Sequence, residues 1–445
     1  MTFLGYSILV IYLSSLFGFS GLLLKLSKER TRYPLVFLAP PLWILFEFIR
    51  TYLFTGFPWS LLGYSQWRNI SLIQISSITG VYGVSFLIIM VNAAISDFAF
   101  SKTKKHLRNL VFAILIIGGI VVIGERVIST PFRHIVGTEQ AGEDEPDKIK
   151  ISVIQGNIPQ NVKWDEKYEK EILDIYVELS MKAGESTNPS LIIWPETSYP
   201  GYIDENLELF RKIEGLSSHI KIPLLIGGLN FENDKDYNSA FLILPDGVIK
   251  QTYNKLHLVP FGEYTPLKKI FFFLDNTTPQ IGSFNKGKEY TIFKIKNRFA
   301  VFICFEDLFP DLARRFTKEG AEFLVIITND AHFHESPGLW QHFTHSVFRA
   351  VENRRPVVRA ANNGISGFID SYGRTVQILN KDGKAMGIRG SATNLVSCSS
   401  AKTFYTRFGD LFVYLNIIYL AVVLMITRKN VKRRWALHTT KLLIN

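Results

Sequence analysis

Phe299-Ala300-Val301-Phe302-Ile303-Cys304-Phe305-Glu306-Asp307 starts as an unbroken apolar run and ends on a thiol, a phenyl ring and two acids. Short apolar runs rich in β-branched and aromatic side chains read as strands buried on both faces, and a helical pattern takes over near Leu308. Such a junction presents a residue at the rim of a sheet, and here that residue is one of only two cysteines in the chain. Similar runs recur at residues 149–155, 191–194, 224–227, 240–244, 323–327 and 357–359, separated by turn residues and by helical patterns at 167–183 and 335–352. Alternation of this kind predicts an α/β fold in which helices cover a sheet.

The flanking sequence belongs in lipid. Residues 3–24 carry no charge, and a helix needs roughly 20 apolar residues to cross the hydrocarbon core. Further spans are predicted at 34–54, 80–99, 109–128 and 411–427. The polar stretch between the fourth span and the first strand reads as an exposed linker. The expected organisation is a transmembrane helical region of about four spans at 1–128, a linker at 129–150, an α/β domain at 151–400, a C-terminal span at 409–428 and a basic cytoplasmic tail at 429–445.

A net charge of +11 would suit a nucleic-acid partner, but its distribution argues otherwise. The balance is +7 over residues 1–128 (11 basic, 4 acidic), −1 over 129–407 (33 basic, 34 acidic) and +5 over 408–445 (6 basic, 1 acidic). The excess sits beside the apolar spans, at 25–32, 102–108 and 428–434. Basic clusters in short loops face the cytoplasm, which leaves the nearly neutral α/β domain outside a bacterial plasma membrane and Met1 outside with it. The first apolar stretch is too long, and lacks the basic start, for a cleavable signal. In that oxidising compartment Cys304 and Cys398 have the option of pairing, although two dispersed cysteines suit a free thiol at least as well.

A cysteine attacks a carbonyl as the thiolate, so it requires a base or an electropositive setting. Two other strand-end segments offer one each: Trp194-Pro195-Glu196-Thr197 and Asn254-Lys255-Leu256-His257. Burial of Glu196 against Trp194 and Pro195 would disfavour its charge and suit it to act as a base. Lys255 would place a fixed cation where an oxyanion develops, helped by a backbone N–H after the nucleophile. Seen singly, each residue has a plain alternative, since a strand-end cysteine is ordinarily core and most glutamates and lysines are solvated.

The flanking residues add to this. Trp194-Pro195-Glu196, the Lys-Leu-His-Leu-Val-Pro-Phe-Gly-Glu run from Lys255 to Glu263, and Ile303-Cys304-Phe305-Glu306-Asp307 follow in that order at intervals of 59 and 49 residues. Together they resemble the nitrilase superfamily. The chain further resembles the apolipoprotein N-acyltransferase family, from Thr55-Gly56-Phe57-Pro58-Trp59 and Gly80-Val81-Tyr82-Gly83 to Gln155-Gly156-Asn157-Ile158-Pro159-Gln160, Thr328-Asn329-Asp330-Ala331 and Arg359-Ala360-Ala361-Asn362-Asn363-Gly364.

The resemblance implies a nitrilase-like α-β-β-α sandwich flanked by transmembrane helices. It also implies transfer of an acyl chain from a phospholipid donor to the N-terminal amine of a diacylated lipoprotein, with no cofactor. Cys304 would carry the chain as a thioester, Glu196 would be the general base, and Lys255 would stabilise the tetrahedral intermediate. Glu263, Phe305 and Glu306 would support them, and Trp164 would lie near substrate. Phe305 departs from the family's common tyrosine. The family typically has eight spans, so the match is expected to begin partway through its membrane region.

Several features stay open at this level. The patch Leu267-Lys268-Lys269-Ile270-Phe271-Phe272-Phe273-Leu274 reads equally as an arm that enters lipid and contacts substrate through Phe271, Phe272 and Phe273, or as a core element. Trp164 serves as well for a packing anchor at a helix start. The histidines His332, His334, His342 and His345 lack the acid and third ligand of a zinc hydrolase pattern, so no metal is expected. Glu47 and Arg50, inside the second span, are either paired within lipid or interfacial, with the interfacial reading slightly preferred. A membrane-tethered amidase hydrolysing a small C–N bond would use the same three residues, and a non-catalytic lipoprotein-binding scaffold would need none of them. A transporter fits poorly, because the polar mass lies in one domain.

Overall fold

The stretch preceding Cys304 is a strand, Arg298–Ile303, in which every residue after Arg298 is buried. The computed structural model describes residues 3–31, 33–129, 147–264 and 284–442. The chain divides into one unit of Met1–Val136 with Phe408–Asn445 and a second of Gly137–Arg407.

The second unit contains strands β1 (Lys148–Gln155), β2 (Leu191–Ile193), β3 (Leu224–Glu232), β4 (Lys235–Ile243), β5 (Ile249–Asn254), β6 (Phe293–Lys294), β7 (Arg298–Ile303), β8 (Phe323–Thr328), β9 (Val357–Ala361), β10 (Gly367–Ile369), β11 (Thr375–Ile378) and β12 (Gly390–Ser397). They form two six-stranded sheets, in the orders β12-β1-β2-β3-β4-β5 and β11-β10-β9-β8-β7-β6. The centre of each sheet is a parallel trio, β1-β2-β3 in one and β7-β8-β9 in the other. Antiparallel strands flank both trios.

The sheets face each other, β1 against β9 and β4 against β7. Helices Glu169–Thr187 and Leu207–Ile220 cover the first sheet, with Leu173, Tyr176, Ile213 and Leu216 packing on Ile192, Ile226 and Phe241. On the second sheet, Phe316 of helix Pro310–Lys318 meets the Phe302 ring edge-on, and helix Gly338–Asn353 lies on β9. The result is the expected α-β-β-α sandwich. Its parallel strands are buried on both faces, which is why they stand out as continuous apolar runs.

The handover after β7 differs in detail from the expectation. A 3₁₀ turn, Cys304–Leu308, intervenes, and the α-helix begins at Pro310. Proline suits the first helical position because its φ is preset and its missing N–H would have no partner there. At the domain entry, β1 begins at Lys148, inside the stretch expected to be linker. The rest of that linker, residues 130–146, lies outside the described residues.

Among the described residues of the first unit, four helices are long and apolar enough to cross a membrane: Tyr6–Thr31, Leu35–Tyr52, Val81–Ser101 and Lys104–Ser129. A shorter apolar helical stretch, Leu411–Ile426, follows the sandwich. Glu47 and Arg50 are both buried, so neither side chain reaches out to water as the interfacial reading preferred from sequence would have it. Glu47 Oε1 accepts from the Leu62 N–H at 2.7 Å, and Arg50 Nη2 donates to the Ser60 carbonyl at 3.4 Å. The two charges thus hold the backbone of the segment that follows their helix, where lipid would leave it unsatisfied.

One glycine decides where a functional strand end can lie. A Cβ on Gly227 of β3 would sit 2.5 Å from the Pro195 oxygen and 2.7 Å from Glu196 Cα and Thr197 N. All three are backbone atoms, so the turn that carries Glu196 would have to move. Gly227→Ala is therefore expected to cost about 1–3 kcal/mol, the usual scale for overpacking. Gly228→Ala, whose Cβ would meet only side-chain atoms of Tyr199 and Phe241 at 3.3 and 3.4 Å, should cost less. Equilibrium unfolding of the two variants in detergent checks the order.

Candidate active site

Three chain segments leave the C-terminal ends of their strands in the two sheets. Glu196 follows β2, Lys255 follows β5 and Cys304 follows β7. Cys304 has φ +54° and Thr197, next to Glu196, has φ +44°. The left-handed region is unfavourable for residues with a Cβ and is typical of functional sites. Each bend turns the chain sharply and leaves a side chain at the strand end instead of in the sheet.

Lys255 is the centre of the site and is only 1% exposed. Its Nζ lies 2.8 Å from Glu263 Oε1 and 3.6 Å from Glu196 Oε1. Asn238 Nδ2, from β4, donates to both acids, at 2.8 Å to Glu196 Oε1 and 2.9 Å to Glu263 Oε1. The remaining oxygens are fixed by backbone: Asn329 N–H donates to Glu196 Oε2 and Val259 N–H to Glu263 Oε2, each at 2.8 Å. The four carboxylate oxygens flanking the lysine are thereby each held by at least one donor.

Charge and burial act in opposite senses here. Loss of water disfavours the Lys255 cation, but the Glu263 and Glu196 carboxylates outweigh it and hold its pKa well above the ordinary value. Cys304 is half-buried. Burial, reinforced by the Glu196 charge, pushes its thiol up, while Lys255 pulls it down. Burial and the Glu196 charge thus favour the neutral thiol over the thiolate.

Glu306 ties two of the segments together. Its Oε1 accepts from Tyr253 Oη at 2.8 Å, Leu256 N–H at 2.7 Å and His257 N–H at 3.0 Å. Its Oε2 accepts from Ile303 N–H at 2.8 Å. One buried carboxyl therefore joins the loop carrying Lys255 to the turn carrying Cys304. Beneath that turn, Asp307 and Asp330 share His342 and Arg359. Nε2 and Nδ1 of His342 lie 3.0 and 2.8 Å from Asp307 and Asp330, and the Arg359 guanidinium lies 3.0 and 3.1 Å from the same two acids. His342 is thus committed to carboxylates, which push its pKa up to about 9 against the effect of burial.

The structure brings Glu196, Lys255, Glu263, Cys304 and Glu306 together. Phe305 is buried with its ring 5.3 Å from that of Phe309. Trp164 is 50% exposed. Phe271, Phe272 and Phe273 lie outside the described residues. Both cysteines are free, so the optional disulfide does not form. Sequence reasoning gave no role to Asn238, or to Lys163, a buried lysine whose Nζ donates to the Glu196 carbonyl at 3.1 Å. Adjacency to Trp164 was the only signal for Lys163, and none existed for Asn238.

Comparison with known proteins assigns both parts of the chain. A carbon-nitrogen hydrolase family model matches residues 150–390, and a model of the apolipoprotein N-acyltransferase N-terminal domain matches residues 1–94. An apolipoprotein N-acyltransferase from Geobacter metallireducens is 36% identical over 94% of this chain and 78% of its own length. The chain belongs to the apolipoprotein N-acyltransferase family. A second member, from Rickettsia typhi, is 34% identical over 89% of this chain and 77% of its own length. Among solved structures, Saccharomyces cerevisiae Nit3, of the nitrilase superfamily, aligns at 19% identity with a TM-score of 0.42 over 56% of this chain and 90% of its own. The protein is an acyltransferase that unites a nitrilase-type sandwich with membrane helices.

Glu306 makes stability depend on pH in a predictable sense. Burial raises its pKa from 4.5 to about 7, against Lys255 and its hydrogen-bond donors. A raised folded-state pKa means that the folded protein holds the proton more tightly. The associated stability is fully present below pH 4.5 and is lost as pH rises through about 7. Over that window the parent should lose up to about 3 kcal/mol relative to Glu306→Gln, which has no proton to release. Denaturation midpoints of the two proteins between pH 4.5 and 7.5 measure the difference.

Proposed function

We propose that this protein transfers a fatty acyl chain from a membrane phospholipid to the N-terminal α-amine of the lipidated cysteine of apolipoproteins, through a thioester on Cys304. The observation that carries the reading is the buried Lys255, held between Glu196 and Glu263 and acting electrostatically on Cys304. That is an arrangement for moving one proton and stabilising one oxyanion. The partners are a phospholipid donor and a diacylated lipoprotein acceptor. Both carry chains whose withdrawal into water costs about 0.8 kcal/mol per CH₂, which gives the membrane helices a purpose.

In the first half-reaction Glu196 takes the Cys304 proton as the thiolate attacks the donor ester carbonyl. The oxyanion forms against Lys255 Nζ. Collapse expels the glycerol alkoxide, which takes the proton back from Glu196 and leaves as lysophospholipid. In the second, the acceptor amine attacks the thioester carbonyl and gives a proton to Glu196. The intermediate collapses to the amide, and the departing thiolate recovers that proton. Each half returns Glu196 and Lys255 to their starting states, as a ping-pong enzyme requires. Glu263 fixes the lysine, and Glu306 positions the lysine-bearing loop against the nucleophile. The half-exposed Trp164, next in sequence to the buried Lys163, is available to meet substrate.

The basic clusters flanking the apolar spans support placement in the bacterial plasma membrane as a multi-pass protein, with the sandwich on the outer, periplasmic face. Incubation of the purified protein with phospholipid should add the mass of one acyl chain, and a diacylated peptide should then remove it. Cys304→Ser should abolish the adduct, and Lys255→Met should slow its formation by about 10²–10³-fold, the scale for loss of an oxyanion donor. Hydrolysis of short amides with no adduct or transfer would favour an amidase instead.

A further inference from the structure

The ion count around Lys255 leaves the site one cation short. One lysine faces two carboxylates, Glu263 at 2.8 Å and Glu196 at 3.6 Å. With both acids ionised the cluster carries a net charge of −1. Asp330 adds a further negative influence on Cys304, and the Glu196 charge opposes a thiolate directly. Asp330 is largely answered by Arg359 and His342. Glu306 also acts on Lys255. A negative centre is a poor place to create a thiolate and then an oxyanion.

A second buried ammonium lies on the same residue that supplies the base. Lys163 is 4% exposed, and its Nζ donates to the Glu196 main-chain oxygen at 3.1 Å. The same backbone also packs on Gly227, where a Cβ would lie 2.7 Å from Glu196 Cα. The Glu196 bend is therefore contacted by both a close-packed glycine and an ammonium. The charges that act on Lys163 are Glu196 and Cys304. A lysine this buried, committed to a neutral carbonyl and not to a carboxylate, keeps its charge available to the site.

We propose that Lys163 is the second cation of the acyl-transfer site, a positioning residue that holds the Glu196 bend and offsets the excess negative charge, so that Cys304 can lose its proton. This deepens the reading given under Proposed function, and it makes a distinct demand: the charge on Lys163, and not only its hydrogen bond, must govern the thiol. Burial brings the Lys163 pKa down to about 8, with Glu196 and Cys304 opposing that fall. Its assistance to the thiolate should therefore be present at neutral pH and fade above about pH 8.

The test is the rate of iodoacetamide alkylation of Cys304 against pH, in the full chain in detergent. A Cys398→Ser background leaves one thiol, since the chain has only two cysteines. Lys163→Gln retains a donor for the Glu196 carbonyl but removes the charge, and Lys163→Arg retains both. At pH 7 Lys163→Gln should alkylate about tenfold more slowly than the parent, the effect of one nearby unit charge. The two profiles should converge above about pH 8, and Lys163→Arg should follow the parent below it. A Lys163→Gln profile that superimposes on the parent at all pH values overturns the proposal. So do equal losses in the Gln and Arg variants, or a loss in Lys163→Gln that persists unchanged to pH 9.5. Thermal melts identify any variant that fails to fold, and Lys163→Met then supplies the uncharged comparison. Alkylation needs neither donor nor acceptor, so this outcome is independent of whether phospholipid yields the adduct.

Discussion

A single ammonium shared by two carboxylates inside the protein sets the terms for everything around it. Lys255 Nζ contacts Glu263 at 2.8 Å and lies 3.6 Å from Glu196, out of reach of bulk water. Breaking such a buried group from its partners ordinarily costs about 3–5 kcal/mol, so the three side chains rise or fall as a unit. Asn238 and the N–H groups of Asn329 and Val259 complete the coordination of the two acids. In the proposed roles of base and oxyanion partner, side chains fixed in this way would need no reorganisation when charge develops, which is where most electrostatic catalysis originates.

The backbone is bent to serve that ion cluster. Positive φ at Thr197 and Cys304 brings two side chains off their strand ends, and Gly227 makes room for the first bend. Glu306 binds the loop carrying Lys255 to the turn carrying the thiol. Under that turn, the Asp307–Asp330–His342–Arg359 cluster forms a second layer of buried charge. His342 Nε2 also lies 3.4 Å from the Cys304 carbonyl, which ties this layer to the backbone of the cysteine itself. Local strain at the cysteine is thus resisted by ionic contacts on two sides.

How much of this was legible in the sequence follows from burial. The parallel trios β1-β2-β3 and β7-β8-β9 were readable because strands buried on both faces are continuously apolar. β5, whose sequence Ile249-Lys250-Gln251-Thr252-Tyr253-Asn254 is only partly buried, gave no such run. Neither did β11 or β12, whose side chains are largely half-buried or exposed. Glu196, Lys255 and Cys304 were legible as candidates because each sits in a distinctive local string. Asn238 and Lys163 were not, because what makes them matter is contact with Glu196 at sequence separations of 42 and 33 residues. The histidines invited a metal reading by spacing alone, whereas His342 turns out to bridge two aspartates. Glu47 and Arg50 looked like an interfacial pair, and their burial against the backbone of Ser60 and Leu62 became visible only in the fold.

In the proposed function the membrane helices and the sandwich answer one chemical need, the handling of long-chain acyl groups by a site whose carboxylates are already paired. The central claim is that the acyl chain resides on Cys304 with its carbonyl oxygen presented to Lys255. A structure of the acyl-enzyme, trapped with phospholipid and without acceptor, tests it most directly. The predicted result is a thioester on Cys304 whose carbonyl oxygen lies within hydrogen-bonding distance, about 3 Å, of Lys255 Nζ. An acyl group on another residue, or a thioester carbonyl turned away from Lys255, would contradict it.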